Sequence, residues 1–152
     1  MMRKPTIALA AFALVLVNSS MSPLHQHSSP IEVVVYKTAR CECCNGWIEH
    51  MRKAGFVVVA HNLPAVERLE KQKSLGVPST LNSCHTSVVD GYVIQGHVPA
   101  SDVDRLLKER PKVTGIGVYH MPEGSPGMES DTPESFETIA FSPDTTWVFA
   151  KH

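Results

Sequence analysis

The sequence contains no block of basic residues and, apart from its N-terminus, no apolar run long enough to cross a membrane. Fourteen basic residues stand against fifteen acidic ones, which gives a formal net charge of −1. Nucleic-acid-binding proteins concentrate Lys and Arg on one surface, and a membrane-spanning helix needs about 20 apolar residues. The composition therefore argues against nucleic acid as a partner and against membrane insertion of the chain beyond its N-terminal segment.

The N-terminus has the pattern of a secretory signal peptide. Arg3 and Lys4 precede an apolar run of twelve residues at positions 6–17, which a small polar stretch follows. A run of this length is typical of a signal sequence, with an uncleaved N-terminal anchor as the alternative. No cysteine follows the run, which argues against a lipoprotein. We expect residues 1–20 to be a signal peptide and the protein to be exported to the periplasm of a bacterium.

The rest of the chain is expected to form a single domain. Residues 21–30 are polar and bounded by proline, so we interpret them as a flexible leader. Residues 31–152 contain no internal repeat and are sufficient for one hydrophobic core. A loop rich in Gly, Pro and Ser is expected at 121–133, and it carries two methionines.

Hydrophobic periodicity predicts alternating strands and helices in this domain. The predicted strands are at 31–36, 56–60, 86–89 and 92–95, and the predicted helices are at 41–54, 63–73 and 99–110. The first helix has Trp47, Ile48, Met51 and Ala54 on one face, and Gly55 is a natural stop. In the second helix, Val66 and Leu69 are expected to point inward.

The resulting order, β-α-β-α-β-β-α, is that of an α/β fold and resembles a thioredoxin-like domain. A strand–helix–strand unit implies a right-handed parallel crossover. Asp90-Gly91 predicts a tight hairpin, which would add an antiparallel edge to the sheet. Alternating residues at 136–150 predict a further small hairpin after the loop.

Cysteine is scarce and unevenly placed. Three of the four cysteines lie in Cys41-Glu42-Cys43-Cys44, and the fourth, Cys84, directly precedes His85. Two disulfides made from this set would need either a bond between neighbours or a pair inside one helical turn, so an ordinary disulfide framework is disfavoured. Exported free thiols are lost to oxidation unless a metal or a redox cycle uses them. The pattern therefore favours soft-metal binding or thiol–disulfide chemistry.

The predicted fold brings these cysteines together. Cys41 and Cys44 have the spacing of one helical turn at the start of the first helix, where the helix dipole favours thiolate. Cys43 is adjacent, and Cys84 enters the third strand beside the same helix end. Four thiolates would suit Cu(I), zinc or a small multinuclear cluster. Because two separated Cys pairs are absent, a structural zinc site is disfavoured.

Histidine and methionine supply candidate additional ligands or supporting residues. His85 adjoins Cys84, with a buried histidine bonded to the backbone as the equal alternative. His97 follows the fourth strand, where a loop histidine is more common. Met121 and Met128 bracket the Gly- and Pro-rich loop, and their thioethers can bind Cu(I) or serve only in packing.

Six stretches within residues 31–129 form a combined pattern: Val35-Tyr36-Lys37, Cys41-x-Cys43-Cys44-x-Gly46-Trp47, Gly76-Val77-Pro78, Ser83-Cys84-His85-Thr86, the segment 89–99 and Met121-Pro122-x-Gly124-Ser125-Pro126-Gly127-Met128-Glu129. Together they resemble the small exported CopG-type copper-resistance proteins, a family catalogued as a domain of unknown function. Two positions depart from the common pattern: Glu42 stands where the family commonly has Gly, and Ser87 where it has Ala.

This resemblance implies a thioredoxin-like fold, copper held by the four cysteines and a role in periplasmic copper resistance through Cu(I)/Cu(II) exchange. Copper ions and other periplasmic copper-handling proteins are the implied partners, and a copper oxidoreductase is the implied enzyme class. The residues themselves leave two alternatives open. One is a thiol–disulfide oxidoreductase that uses Cys41 and Cys44, and the other is a zinc or iron–sulfur module.

Overall fold

The structure is a computed structural model and describes residues 30–152, so the predicted signal peptide and nearly all of the predicted leader lie outside the described residues. This range contains three helices and seven strands. In chain order the elements are β1 (Glu32–Lys37), α1 (Glu42–Lys53), β2 (Val57–Asn62), α2 (Ala65–Ser74), β3 (His85–Val89), β4 (Tyr92–Gln95), α3 (Ala100–Glu109), β5 (Gly115–Val118), β6 (Glu137–Ser142) and β7 (Thr145–Lys151).

All seven strands join one sheet in the order β2-β1-β3-β4-β5-β6-β7. β1 is parallel to β2 and antiparallel to β3, and β4 returns antiparallel to β3 through the Asp90-Gly91 turn. The α/β class and the predicted order of the first seven elements are confirmed, as is the C-terminal hairpin, which is β6 and β7. The thioredoxin-like assignment stays a prediction.

The expectation that β4 forms an edge of the sheet is wrong. β5 pairs with β4 in parallel and carries β6 and β7 with it. Two of its four residues, in Gly-Ile-Gly-Val, are glycines, which have low strand propensity, so the sequence pattern did not predict this strand. The glycines are required by close approach, since a Cβ at Gly117 would lie 3.0 Å from the Gln95 Cβ.

Apolar side chains cover both faces of the sheet. Val93 and Ile94 are neighbours on β4 but belong to different buried clusters, so the clusters lie on opposite faces. The larger cluster packs α1 and α3 on the sheet through Trp47, Met51 and Leu106, all fully buried. Among residues 30–152, no helix is long and apolar enough to cross a membrane.

α1 buries most of the face predicted from the sequence, and it begins within the cysteine triplet. Trp47, Ile48 and Met51 are buried, whereas Ala54 is exposed just past the helix end. Cys41 is the N-cap residue, with an extended backbone (φ −91°, ψ 94°), and the helix starts at the next residue. Cys43 and Cys44 therefore lie in the first helical turn.

The predicted inward face of α2 is wrong. Val66 and Leu69 are 67% and 40% exposed, while Gln72 is buried. Arg68 turns inward instead and donates hydrogen bonds to the Gln72 Oε1 atom at 3.2 Å and the Ser83 carbonyl at 3.1 Å. The helix thus supports the segment before Cys84 by polar contacts, which hydrophobic periodicity cannot predict.

Candidate metal centre

All four cysteine sulfurs converge, although one of them is forty residues from the others in sequence. The Sγ atoms of Cys41, Cys43, Cys44 and Cys84 all lie within 4.8 Å of one another. Cys41 and Cys44 form a disulfide, with their Cα atoms 5.2 Å apart, while Cys43 and Cys84 are free thiols. A single bridge within one helical turn therefore coexists with two available sulfur donors.

Cys43 occupies the middle of this sulfur cluster. Its Sγ atom lies 3.6 Å from the Cys41 sulfur and 3.4 Å from the Cys84 sulfur. The Met121 thioether approaches from the loop after β5, with its Sδ atom 3.9 Å from the same sulfur. Cys43 can consequently share a bound ion with Cys84, and with Cys41 once the disulfide is reduced.

His97 contributes an imidazole nitrogen to the cluster. Its Nε2 atom lies 3.1 Å from the Cys84 sulfur, and its Nδ1 atom lies 2.8 Å from the Pro126 carbonyl oxygen. Because a carbonyl only accepts, Nδ1 carries the proton and donates it, which leaves a lone pair on Nε2. This is the arrangement in which histidine ligates metals, with a backbone carbonyl fixing the ring.

His85 lies behind the cysteines in the core. Its ring is fully buried, with its centroid 4.6 Å from that of Trp47 and 5.1 Å from that of His97. Nδ1 is 3.4 Å from the Cys84 sulfur, and the buried Nε2 atom has no hydrogen-bond partner among the described residues. Cys84, His85 and His97 thus form a second set whose donor atoms lie within 4.8 Å of one another.

Burial sets the protonation of these groups. Desolvation is the main cause that raises the pKa of Cys84 to about 12, and interaction with the nearby Cys43 thiol is the second. Desolvation also lowers the pKa of His97, and it lowers that of His85 well below the ordinary histidine value. Both imidazoles are therefore neutral and able to ligate at pH 7, whereas the Cys84 thiol keeps its proton until a cation displaces it.

The loop after β5 is held against the first turn of α1. Gly127 has φ +85°, and a Cβ there would overlap the Cys43 carbonyl and lie 2.6 Å from the Trp47 amide nitrogen. Its amide donates to Glu129 Oε1 at 2.9 Å, which lowers the pKa of that carboxyl. This contact puts the Pro126 carbonyl within reach of His97.

The two methionines named from the sequence differ in position. Met121 is 44% exposed and contacts Cys43, so it forms the solvent side of the cluster. Met128 is fixed by main-chain bonds, donating to the Ser125 carbonyl and accepting from Gly124. Ligation by either residue, by His85 or by His97 stays a prediction, as does ligation by the cysteines.

Sequence reasoning missed the residues that orient the others. The Pro126 carbonyl joins the loop to His97, which lies 29 residues earlier in the sequence. Gly127 joins the loop to Gly46, about 80 residues earlier, and its Cα lies 2.8 Å from a Cβ built at Gly46. The only sequence feature that pointed to these contacts was the Gly- and Pro-rich composition of the loop. This composition indicates a tight turn but does not show which residues the turn contacts.

Fold and site together define an α/β protein with a clustered sulfur and imidazole donor set. A family model described as "Protein of unknown function, DUF411" matches residues 81–128. Two solved structures, described as "Copper resistance protein copG" in Form 1 and Form 2, are each 36% identical, with a TM-score of 0.75. The alignments cover 82% of this chain and 98% and 99% of those chains.

The chain belongs to the CopG-type copper-resistance family, as the sequence motifs predicted. Among curated proteins, the comparison finds no match.

Proposed function

We propose that this protein is an exported copper-resistance protein that binds copper ions in its cysteine cluster. The observation that carries the proposal is the convergence of four cysteine sulfurs, with the lone pair of His97 directed at one of them. The related structures are described as copper resistance proteins, which agrees with this donor set. Export to the periplasm rests on the signal-like sequence of residues 1–20.

The chemistry of the donors favours copper over the alternatives. Thiolate, thioether and imidazole are soft or intermediate ligands that suit Cu(I), whereas Mg²⁺ and Ca²⁺ need oxygen. Glu42 adjoins the cluster in sequence, but it is exposed. A zinc or iron–sulfur module remains the competing use of the same sulfurs, and metal analysis separates the three.

The redox state of Cys41 and Cys44 sets how many donors are available. With their disulfide intact, the free donors are Cys43, Cys84 and His97, with Met121 outermost. Reduction adds two thiols to the same cluster, which gives the four-cysteine site. Cu(I)/Cu(II) cycling and exchange with other periplasmic copper-handling proteins complete the proposal.

The test is anaerobic titration of the reduced mature protein with Cu(I) in competition with a chromophoric Cu(I) chelator. We expect at least one tightly held copper per chain and sulfur-dominated scattering at the copper X-ray absorption edge. A Cys44→Ser and Cys84→Ser double variant should lose most of this binding, while Ser74→Ala, on the exposed end of α2, should keep it. Sub-stoichiometric copper, or unchanged binding in the double variant, would refute the proposal.

A second candidate function is thiol–disulfide oxidoreduction, which the Cys41–Cys44 bond specifically favours. The pair lies at the start of α1, where the helix dipole stabilises thiolate. Insulin reduction by the metal-free protein tests it. Activity that disappears in Cys41→Ser would support this function, and its absence in the wild-type protein would exclude it.

A further inference from the structure

The four cysteines are divided into two pairs with different chemistry. Cys41 and Cys44 are joined, whereas Cys43 and Cys84 are free and 3.4 Å apart. We propose that Cys41 and Cys44 act as a two-electron donor that reduces Cu(II), while Cys43, Cys84 and His97 retain the Cu(I) produced. This inference rests on the proposed copper binding and adds to it a reaction, its direction and its stoichiometry.

The step balances without any further reactant. The dithiol of Cys41 and Cys44 loses two electrons and two protons as the sulfur–sulfur bond forms. Two Cu(II) ions take one electron each and become Cu(I), and the protons pass to solvent. The product state of the protein is the disulfide form that the structure describes. A dithiol reductant, such as a reduced thioredoxin-like protein, would return the disulfide to the starting state.

The positions of Cys41 and Cys44 suit reversible disulfide formation. Their Cα atoms are 5.2 Å apart, inside the range that a disulfide requires. Cys41 is the extended N-cap residue and Cys44 lies in the first turn, so one turn of helix fixes their separation. Bond formation between them therefore needs no movement of a distant segment.

The second pair has the donors to hold metal. The Cys43 and Cys84 sulfurs are free thiols 3.4 Å apart, so one ion can contact both. Cys84 also faces the lone pair of His97, and Cys43 faces the Met121 thioether. Thiolate and thioether stabilise Cu(I) relative to Cu(II), and imidazole binds either ion, so the two thiols and the thioether favour the product of the reduction.

Contact between the two pairs gives the electrons a short path. The Cys43 sulfur lies 3.6 Å from the Cys41 sulfur, which is close to van der Waals contact. An ion held by Cys43 is consequently next to the electron donor. The third cysteine of the triplet, Cys43, is thus the member of the metal-holding pair that contacts the electron-donating pair.

The experiment begins with fully reduced mature protein, freed of reductant and kept anaerobic, to which Cu(II) sulfate is added. Cu(I) is measured with bicinchoninate, loss of Cu(II) by electron paramagnetic resonance, and thiols by alkylation before peptide mass spectrometry. We expect two Cu(I) ions per chain, the loss of two thiols and a disulfide mapped to Cys41 and Cys44. A bridge mapped instead to Cys43 and Cys84, or no loss of thiols, would overturn the inference.

Two variants with equal thiol counts make the division of roles testable. Cys41→Ser with Cys44→Ser should still retain added Cu(I) but should lose most of the two-electron yield. Cys43→Ser with Cys84→Ser should still reduce Cu(II) but should release the Cu(I) to the chelator. Equal Cu(I) yields from both variants would mean that any thiol pair reduces copper, and would overturn the proposal. Because the wild-type bridge is mapped independently, a variant that fails to fold leaves that test intact.

This experiment distinguishes the inference from the proposed function. If the wild-type protein retains Cu(I) but forms no disulfide on addition of Cu(II), copper binding stands and the electron-donor role fails. If the wild-type protein retains no copper in either redox state, the proposed function itself fails and the inference fails with it.

Discussion

His97 directs an unprotonated Nε2 at the Cys84 sulfur, 3.1 Å away, because its Nδ1 donates a hydrogen bond to the Pro126 carbonyl at 2.8 Å. Cys84 precedes β3, His97 follows β4, and Pro126 belongs to the loop beyond β5. Three separate segments thereby fix one donor pair. Gly127 then joins the same loop to the first turn of α1, which carries Cys43. The site is a single packed unit and not a set of independent side chains.

Replacing His97 by Ala should weaken Cu(I) binding by about tenfold or more. The change removes a preorganised nitrogen donor from beside Cys84, and even indirect supports of metal sites are worth about 10–100-fold in affinity. Competition with a Cu(I) chelator measures the loss. His61→Ala is the matched control, since His61 is exposed on β2 and stacks on Tyr36. Equal affinities for the two variants would contradict a ligand role for His97.

Replacing Gly127 by Ala should lower the free energy of unfolding by about 2–4 kcal/mol. Its φ of +85° costs a non-glycine residue about 1–2 kcal/mol. The added methyl carbon would also lie only 2.6 Å from the Trp47 amide nitrogen, so the loop or the helix would have to shift. Urea unfolding measures the change. We also expect weaker copper binding, because the loop would move away from His97 and Cys43.

Gly55 provides the matched control for that change. It has φ +97° at the end of α1, and a Cβ there would meet nothing within 4 Å. Gly55→Ala should therefore show only the backbone cost, about 1–2 kcal/mol, with copper affinity unchanged. If both variants lost the same stability, close packing of the loop on α1 would not be the cause.

The convergence of the cysteines could be predicted from the sequence because it follows from topology. The pattern gave the crossover between β1 and β2 and the hairpin of β3 and β4, and these put Cys84 beside the start of α1. Spacing within one helical turn related Cys41 to Cys44. Such features depend on local periodicity and on general rules of chain connection.

The remainder depends on contacts between distant residues. β5 escaped prediction because glycine has low strand propensity, although Gly115 and Gly117 are needed where β4 and β5 pack closely. α2 turns Gln72 inward because Arg68 bonds to Gln72 and Ser83, a partnership that periodicity cannot reveal. The ring orientation of His97 likewise depends on a carbonyl 29 residues away.

Acidification from about pH 7.5 to about pH 5.5 should destabilise the metal-free disulfide form. Burial lowers the pKa of His50, His85 and His97. The unfolded chain, with ordinary values of about 6.5, therefore takes up protons first as the pH falls. The stabilisation is complete above about pH 6.5 and is lost as the pH falls toward the lowered values. Urea unfolding at a series of pH values gives the slope.

His50 allows part of that slope to be assigned. Its Nε2 accepts a hydrogen bond from the Ala100 amide at 3.0 Å, and protonation of Nε2 would break this bond. Two charged side chains are nearby: Glu129 raises the pKa of His50, and Lys53 lowers it. His50→Gln keeps an acceptor but does not titrate, so stability should fall less steeply with acid. His61→Gln, at an exposed position, should retain the full slope. An unchanged slope in His50→Gln would remove this residue from the explanation.

Met121 and Met128 offer a comparison between two thioethers of one loop. Met121 has its Sδ atom 3.9 Å from the Cys43 sulfur, whereas Met128 is fixed by main-chain hydrogen bonds. Met121→Leu keeps most of the side-chain volume but removes the sulfur, and we expect it to weaken Cu(I) binding by about 3–10-fold, corresponding to about 0.7–1.4 kcal/mol. Met128→Leu should change the affinity by less than about twofold. The reverse order of effects would mean that the loop rearranges when copper binds and brings Met128 to the sulfurs. Copper X-ray absorption of both variants would then show which thioether is lost from the ligand shell.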